Sequence, residues 1–143
     1  MQKDQEKITE KKLDGKVDSV DSRDKGAQYA ESRENLFSDI LFDYDKYDVK
    51  ETYKQTLQSA SSWMSKNTTA RLSLEGHCDE RGTSAYNLVL GERRAQAAKR
   101  YLQDLGLALS QIQITSYGKE RPFCTEHSEA CWQSNRRTHF RQP

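Results

Sequence analysis

Residues 76–95 read GHCDERGTSAYNLVLGERRA, and this stretch predicts the end of a strand, a tight turn and the start of a helix. Gly82 can form the turn, and Thr83 or Ser84 can cap the helix. Apolar residues then recur on one helical face, at Leu88, Gly91, Ala95, Ala98, Leu102 and Leu105. Because several of them are small, the helix backbone can lie close to a sheet, and Gly106 predicts where the helix ends.

Four segments outside this helix have the pattern of strands. In residues 72–76, Leu72 and Leu74 alternate with polar residues, and Ile112 and Ile114 predict a strand that runs to Gly118. Residues 138–141 predict the last strand. The first strand is predicted from the alternation of Ile40, Phe42 and Tyr44.

Two further helices are predicted between these strands. Asp48 and Glu51 resemble a capping box, which predicts a helix that ends near Asn67. The apolar face of that helix consists of Val49, Tyr53, Leu57, Ala60 and Met64. A short helix is predicted within residues 127–135. Strands that alternate with helices predict an α/β fold, a two-layer sandwich of a mixed, about four-stranded sheet with two main helices and a short third one.

The first 34 residues differ in composition from the rest of the chain. Their strongly apolar residues are Ile8, Leu13, Val17 and Val20, spread among Lys, Asp, Glu and Ser. Such a segment cannot bury enough apolar surface to offset its chain entropy. We therefore predict a flexible polar tether at 1–34 and one folded domain at 35–143.

The overall charge excludes some classes of partner. Lys and Arg total 23 against 22 Asp and Glu, so the net charge of +1 gives no long-range attraction to nucleic acid or to an anionic membrane. The chain also has no apolar run of the roughly 20 residues that cross a bilayer and no apolar signal segment. A cytosolic protein and a trimmed mature form are both compatible with this pattern.

Two catalytic or metal-binding alternatives arise from the cysteines. His77, Cys78 and Asp79 are consecutive, but neighbours at a strand end point to opposite faces, which argues against a cysteine nucleophile. Cys124, His127, Cys131 and His139 offer zinc ligands, but the paired Cys-x2-4-Cys spacing of structural zinc sites is missing.

A third interpretation is a binding site for a ligand that carries both charges. Asp79 lies where the second strand ends, and Arg94 shares a helical face with Leu90, whereas Arg93 points about 100° away. Asp79 and Arg94 would flank one pocket and could bind an ammonium and a carboxylate of the same ligand. The alternative is a purely structural salt bridge between these two residues.

Four segments resemble a known family: LFDYDKYDV, GHCDERGTSAYNLVLGERRA, ITSYGKERP and NRRTHF, which together span about residues 36–140. They resemble the OmpA-like peptidoglycan-binding domains, and among these the peptidoglycan-associated lipoproteins. The resemblance implies a protein that binds the diaminopimelate-bearing stem peptide of peptidoglycan without cleaving it, with no enzymatic activity and no cofactor. The binding residues that it implies are Asp79, Arg94, Tyr44, Asp45, Arg81, Thr83 and Leu90.

The resemblance also assigns roles and surroundings. Arg94 would bind the carboxylate of the diaminopimelate side chain, and Asp79 its ammonium group. The protein would lie at the periplasmic face of the outer membrane, held by a lipid anchor that is absent from this chain, and would bind TolB and other Tol proteins but no nucleic acid. The alternative function is that of an adaptor that mainly binds periplasmic Tol proteins. In that oxidising compartment Cys124 and Cys131 would form a disulfide, and Cys78 would be a small buried residue with a free thiol.

Overall fold

The computed structural model describes residues 37–142, and the tether predicted at 1–34 lies outside this range. The strands and helices of the described part alternate along the chain. They are β1 (Ile40–Leu41), α1 (Lys54–Lys66), β2 (Leu72–His77), α2 (Ser84–Asp104), β3 (Ile112–Gly118), α3 (Glu129–Asn135) and β4 (Arg137–Arg141). No helix within residues 37–142 combines the length and the apolar character that crossing a membrane requires.

The strands form one mixed sheet in the order β1-β4-β2-β3. β2 and β3 are parallel, and β4 pairs antiparallel with both β2 and β1. A parallel pair needs a crossover connection, and α2 provides it between β2 and β3. The prediction of a mixed four-stranded sheet with two main helices and a short third one is confirmed.

The hydrophobic core lies between the sheet and the two long helices. α1 contributes Leu57, Ala60 and Met64, which are all buried as predicted. From the sheet and from α2, the core takes in Ile40, Leu72, Leu74, Ile112, Phe140, Ala95, Ala98 and Leu102. Since the apolar residues of β2 face the helices, its alternate residues Ser73, Glu75 and His77 lie on the opposite face.

α2 crosses β2 at two glycines with almost no space between the backbones. A Cβ atom on Gly76 would lie 1.7 Å from the carbonyl oxygen of Gly91, and a Cβ on Gly91 would lie 2.4 Å from Oγ of Ser116. That hydroxyl in turn donates to the carbonyl oxygen of Leu88 at 2.6 Å. The small residues of the predicted stripe therefore place α2 directly on the end of the strand that leads into Cys78 and Asp79.

The predicted ends of α2 are confirmed. Gly82 has a positive φ of 97°, and Thr83 is the N-cap, with its hydroxyl accepting a hydrogen bond from the Tyr86 amide at 3.1 Å. At the other end, Gly106 has a φ of 104° and donates its amide to Gln103 at 2.8 Å. These contacts complete the first and last turns of the helix.

The predictions were wrong for four residues near the ends of elements, two before α1 and two on α2. β1 ends at Leu41, so Tyr44 does not alternate into the core but lies in a turn, 57% exposed. Asp48 is not the N-cap of α1, because the 3-10 turn Glu51–Tyr53 precedes the helix and Tyr53 lies at its N-cap position.

On α2, Leu88 and Leu105 of the predicted stripe are about half exposed. The buried face is centred two residues away from Leu88, on Leu90, Gly91 and Arg94, and Leu105 lies at the C-cap, where the helix leaves the sheet.

His77 is a buried imidazole on the sheet face opposite to the long helices. Its ring stacks on Tyr117 with centroids 5.5 Å apart, and among the described residues neither ring nitrogen has a hydrogen-bond partner. Burial, together with the nearby cationic side chains of Arg137, His139 and Arg121, lowers the pKa of His77 to about 3. The folded protein therefore keeps this imidazole neutral.

We expect His77 to destabilise the fold in acid. Between about pH 6.5 and pH 3 the unfolded chain binds a proton at His77 that the folded chain does not, so the free energy of unfolding falls as the pH decreases. In His77→Phe this part of the pH dependence should disappear. Urea unfolding at a series of pH values between 7 and 4 measures the free energy of unfolding of wild type and of His77→Phe as a function of pH.

His127 provides the control, because it is exposed and the bond to Glu80 raises its pKa. A histidine with a raised pKa contributes stability at low pH that is lost as the pH rises. His127→Gln should therefore change the pH dependence of the free energy of unfolding in the direction opposite to that of His77→Phe. Parallel pH profiles for wild type and His77→Phe would contradict the assignment of the acid effect to His77.

Candidate ligand-binding site

A small cavity opens where β2 ends and α2 begins, beside the turn that follows β1. Its volume is about 60 Å³, enough for a few water molecules. It is lined by Tyr44, Asp45, Cys78, Asp79, Arg81, Gly82, Tyr86, Asn87, Leu90 and Arg94. Six of the seven candidate binding residues thus lie around one cavity; the seventh, Thr83, does not line it but caps α2.

Arg94 lies at the buried side of this cavity, and its side chain is fully buried. Its Nε donates to the carbonyl oxygen of Lys46 at 2.8 Å, Nη1 to that of His77 at 3.0 Å, and Nη2 to that of Asp43 at 3.1 Å. Among the described residues no carboxylate forms an ion pair with it, so the direct Asp79–Arg94 salt bridge is not formed. Burial lowers the pKa of Arg94, which indicates how costly this charge is without a counterion.

Asp79 is buried and has two arginine partners. Its Oδ1 accepts from the amide of Arg81 at 2.9 Å and from Nε of Arg81 at 3.2 Å. Its Oδ2 accepts from Nη2 of Arg81 at 2.9 Å and from Nη1 of Arg136 at 3.2 Å. Burial alone would raise the pKa of Asp79, but these bonds outweigh it and hold the pKa below its usual value.

Arg81 lies between two aromatic rings. Its guanidinium carbon is 4.1 Å from the ring centroid of Tyr44 and 4.1 Å from that of Trp132 on α3. The indole nitrogen of Trp132 donates to Glu80 at 2.7 Å, and the same carboxylate oxygen contacts Nδ1 of His127 at 2.5 Å. α3 is therefore tied to the loop that carries Asp79.

The remaining candidate residues form the rim of the site. Asp45 has a positive φ of 56° and accepts a hydrogen bond from the hydroxyl of Tyr86, which joins the β1 turn to α2. Leu90 is buried and provides an apolar wall. The exposed rings of Tyr44 and Tyr86 stand at the mouth of the cavity.

Cys78 is buried, as predicted, and its chemistry does not suit a nucleophile. Its thiol donates to the carbonyl oxygen of Asn87 at 3.2 Å. Burial raises the pKa of this thiol to about 11, so it stays protonated at neutral pH. Because the thiolate is the reactive form, a cysteine-dependent reaction at this site is disfavoured.

Cys124 and Cys131 are joined by a disulfide, the pairing that the resemblance implies. The zinc alternative loses both of its thiol ligands to this bond. Of its two histidines, His127 contacts Glu80 and His139 contacts Asp39 at 2.7 Å. Within residues 37–142 no group of three or more His, Cys, Asp and Glu residues is placed to hold a metal ion.

Four residues of the site were not predicted from the sequence: Tyr86 and Asn87, which line the cavity, and Arg136 and Trp132, which contact Asp79 and Arg81. Arg136 is buried and binds Asp79, Glu129 and the carbonyl oxygen of Phe42. It belongs to the NRRTHF segment, but nothing in that segment indicates that its partner is Asp79. Trp132 had no signal in the sequence, because its place beside Arg81 depends on how α3 packs.

The OmpA family model matches residues 41–136. The peptidoglycan-associated lipoprotein of Pseudomonas aeruginosa is 44% identical over 103 residues, which cover 72% of this chain and 61% of the relative. The peptidoglycan-associated lipoprotein of Agrobacterium fabrum is 41% identical over 103 residues, 72% of this chain and 58% of the relative. The chain thus spans about three-fifths of the length of these two relatives.

Solved structures are similar as well. The crystal structure of the peptidoglycan-associated lipoprotein from Burkholderia pseudomallei is 38% identical and superposes with a TM-score of 0.73, covering 74% of this chain and 90% of that one. The C-terminal domain of Helicobacter pylori MotB superposes with a TM-score of 0.63 at 16% identity, covering 72% and 83% of the two chains. This second likeness shows a shared fold alone.

Proposed function

The chain belongs to the OmpA family, and we propose that it binds peptidoglycan, without cleaving it, through the stem peptide that carries meso-diaminopimelate. The free end of the diaminopimelate side chain bears an ammonium and a carboxylate on one carbon. Arg94 would bind the carboxylate and Asp79 the ammonium. The names of the relatives from Pseudomonas aeruginosa and Agrobacterium fabrum support association with peptidoglycan.

The observation that carries this proposal is the unpaired charge of Arg94. A buried guanidinium without a counterion is expensive, and such a group beside a cavity is a candidate for binding a ligand of opposite charge. Carbonyl oxygens hold the Arg94 side chain in place through three of its five N–H groups. Each terminal nitrogen carries a second N–H group, and a carboxylate that accepts from these groups would neutralise the charge.

The surroundings favour binding over catalysis. A reaction needs a nucleophile or an acid–base pair within reach of the substrate. The thiol at the cavity is protonated and donates to a backbone carbonyl, and the carboxylate of Asp79 is held ionised by two guanidinium groups. Both features suit a site that binds a ligand without reacting with it.

We predict that the protein distinguishes stem peptides by this carboxylate. A stem with lysine in place of diaminopimelate lacks it, so Arg94 would stay unpaired, at a cost of about 1 to 3 kcal/mol in binding free energy. Titration calorimetry of the full chain with soluble muropeptides of the two types measures the difference. Equal affinities would contradict the role of Arg94, and no binding of either muropeptide at millimolar concentration would contradict the proposed function.

The cellular setting follows from the same relatives. Their names support a lipoprotein, and we propose that the native form is lipid-anchored at the periplasmic face of the outer membrane, so that binding links the membrane to the cell wall. The disulfide between Cys124 and Cys131 is compatible with an oxidising compartment. TolB and other Tol proteins remain partners predicted from the resemblance.

A further inference from the structure

The carboxylate of Asp79 has no free position for a ligand. A carboxylate accepts about four hydrogen bonds, two on each oxygen. Arg81 fills three of these positions, with its amide, Nε and Nη2, and Arg136 fills the fourth. An ammonium group can therefore reach Asp79 only if one of the two guanidinium groups leaves.

The two arginines differ in how firmly they are held. Arg136 is buried, and it also donates to the carbonyl oxygen of Phe42 at 2.9 Å and to Glu129 at 2.8 Å. The Arg81 side chain is about one-third exposed, and the hydrogen bonds of its guanidinium go to Asp79. Arg81 is thus the group that can move into solvent, and its departure frees one position on each oxygen of Asp79.

The position that Arg81 occupies has the composition of an ammonium-binding site. Tyr44 and Trp132 face the cation from two sides at 4.1 Å each, and Asp79 supplies the negative charge. Aromatic faces attract cations, and a carboxylate adds the opposite charge, so this arrangement could bind an ammonium group. The bond from the Trp132 indole to Glu80 fixes the orientation of one face.

We propose that Arg81 is an internal competitor of the ligand ammonium. In the free protein its guanidinium fills an aromatic cage formed by Asp79, Tyr44 and Trp132, and ligand binding requires it to leave. The cage then holds the ligand ammonium, so Trp132 is a further ligand-contacting residue. This inference rests on the proposed function, and it reverses the expectation that Arg81 strengthens binding.

Removal of the competitor should tighten binding. We expect Arg81→Ala to bind a soluble muropeptide carrying meso-diaminopimelate about five- to tenfold more tightly than wild type, measured by titration calorimetry of the full chain. Arg93→Ala is the matched control, because Arg93 also lies over an exposed tyrosine, Tyr47 at 5.7 Å, but does not bind Asp79. Its affinity should equal that of wild type.

Two further measurements separate competition from a general structural effect. With a muropeptide whose side-chain amino group is acetylated, Arg81→Ala should show no gain, because that ligand does not enter the cage as a cation. In the Arg81→Ala background, Trp132→Leu should weaken binding of the unmodified muropeptide about fivefold. In that background the ligand ammonium is the cation that lies against the Trp132 ring.

The outcomes distinguish this inference from the proposed function. If wild type binds and Arg81→Ala binds equally or more weakly, the competitor role is overturned while peptidoglycan binding stands. A gain in Arg81→Ala that persists with the acetylated ligand also overturns it. If neither wild type nor Arg81→Ala binds at millimolar ligand, the proposed function and this inference both fail.

Discussion

Gly76→Ala is expected to lower the free energy of unfolding by about 3 to 5 kcal/mol, a large part of the stability of a domain this size. The added methyl group would lie 1.7 Å from the carbonyl oxygen of Gly91. The oxygen is a backbone atom, and the methyl carbon is bonded directly to the backbone. Rotation of a side chain therefore cannot relieve the contact. α2 would have to move away from β2, which would open the core and displace the loop of Asp79.

Urea unfolding, monitored by circular dichroism, measures this loss from the midpoint and the slope of the unfolding curve. Gly106→Ala is the matched control. A Cβ at Gly106 would meet nothing within 4 Å, although its φ of 104° disfavours any other residue. That variant should lose only about 1 kcal/mol, the cost of the left-handed conformation. If Gly76→Ala lost no more than Gly106→Ala, the close contact between β2 and α2 would not be a determinant of stability.

Arg94→Gln is expected to weaken binding of the diaminopimelate muropeptide about 100-fold. The glutamine amide can still donate to some of the carbonyl groups around it, but it carries no charge to pair with the ligand carboxylate. Arg94→Lys keeps the charge and loses the planar arrangement of donors, so we expect a loss of about tenfold. Titration calorimetry measures both affinities, and circular dichroism establishes that each variant is folded.

Arg93→Gln is the control for this pair, because Arg93 is the exposed neighbour on the same helix and does not line the cavity. Its affinity should be unchanged. If Arg94→Gln unfolds, Arg94→Lys still tests the role of the side chain. A folded Arg94→Gln or Arg94→Lys variant that binds within about twofold of wild type would remove Arg94 from the proposed recognition of the carboxylate.

The local part of the site was predictable from the sequence. Thr83 caps α2, Gly82 takes a positive φ, and Asp79 follows β2 directly, because each of these depends on neighbouring residues. The prediction failed at Tyr44, where the alternation continued but the strand did not. The amide of Phe42 still bonds to the carbonyl oxygen of Arg136, one step beyond the Leu41–Arg137 pair, but the backbone then turns and Tyr44 lies in that turn.

The sequence by itself determined the order of strands and helices, the mixed sheet, and the close approach of α2 to β2, because these depend on the spacing of apolar and small residues along short segments. Only the tertiary structure decided the partners of the charged groups. The three carbonyl groups that hold Arg94 lie 17 to 51 residues away, and Arg136 reaches Asp79 across 57 residues. A side chain with several donors has many possible partners in a sequence, and packing of the folded chain selects among them.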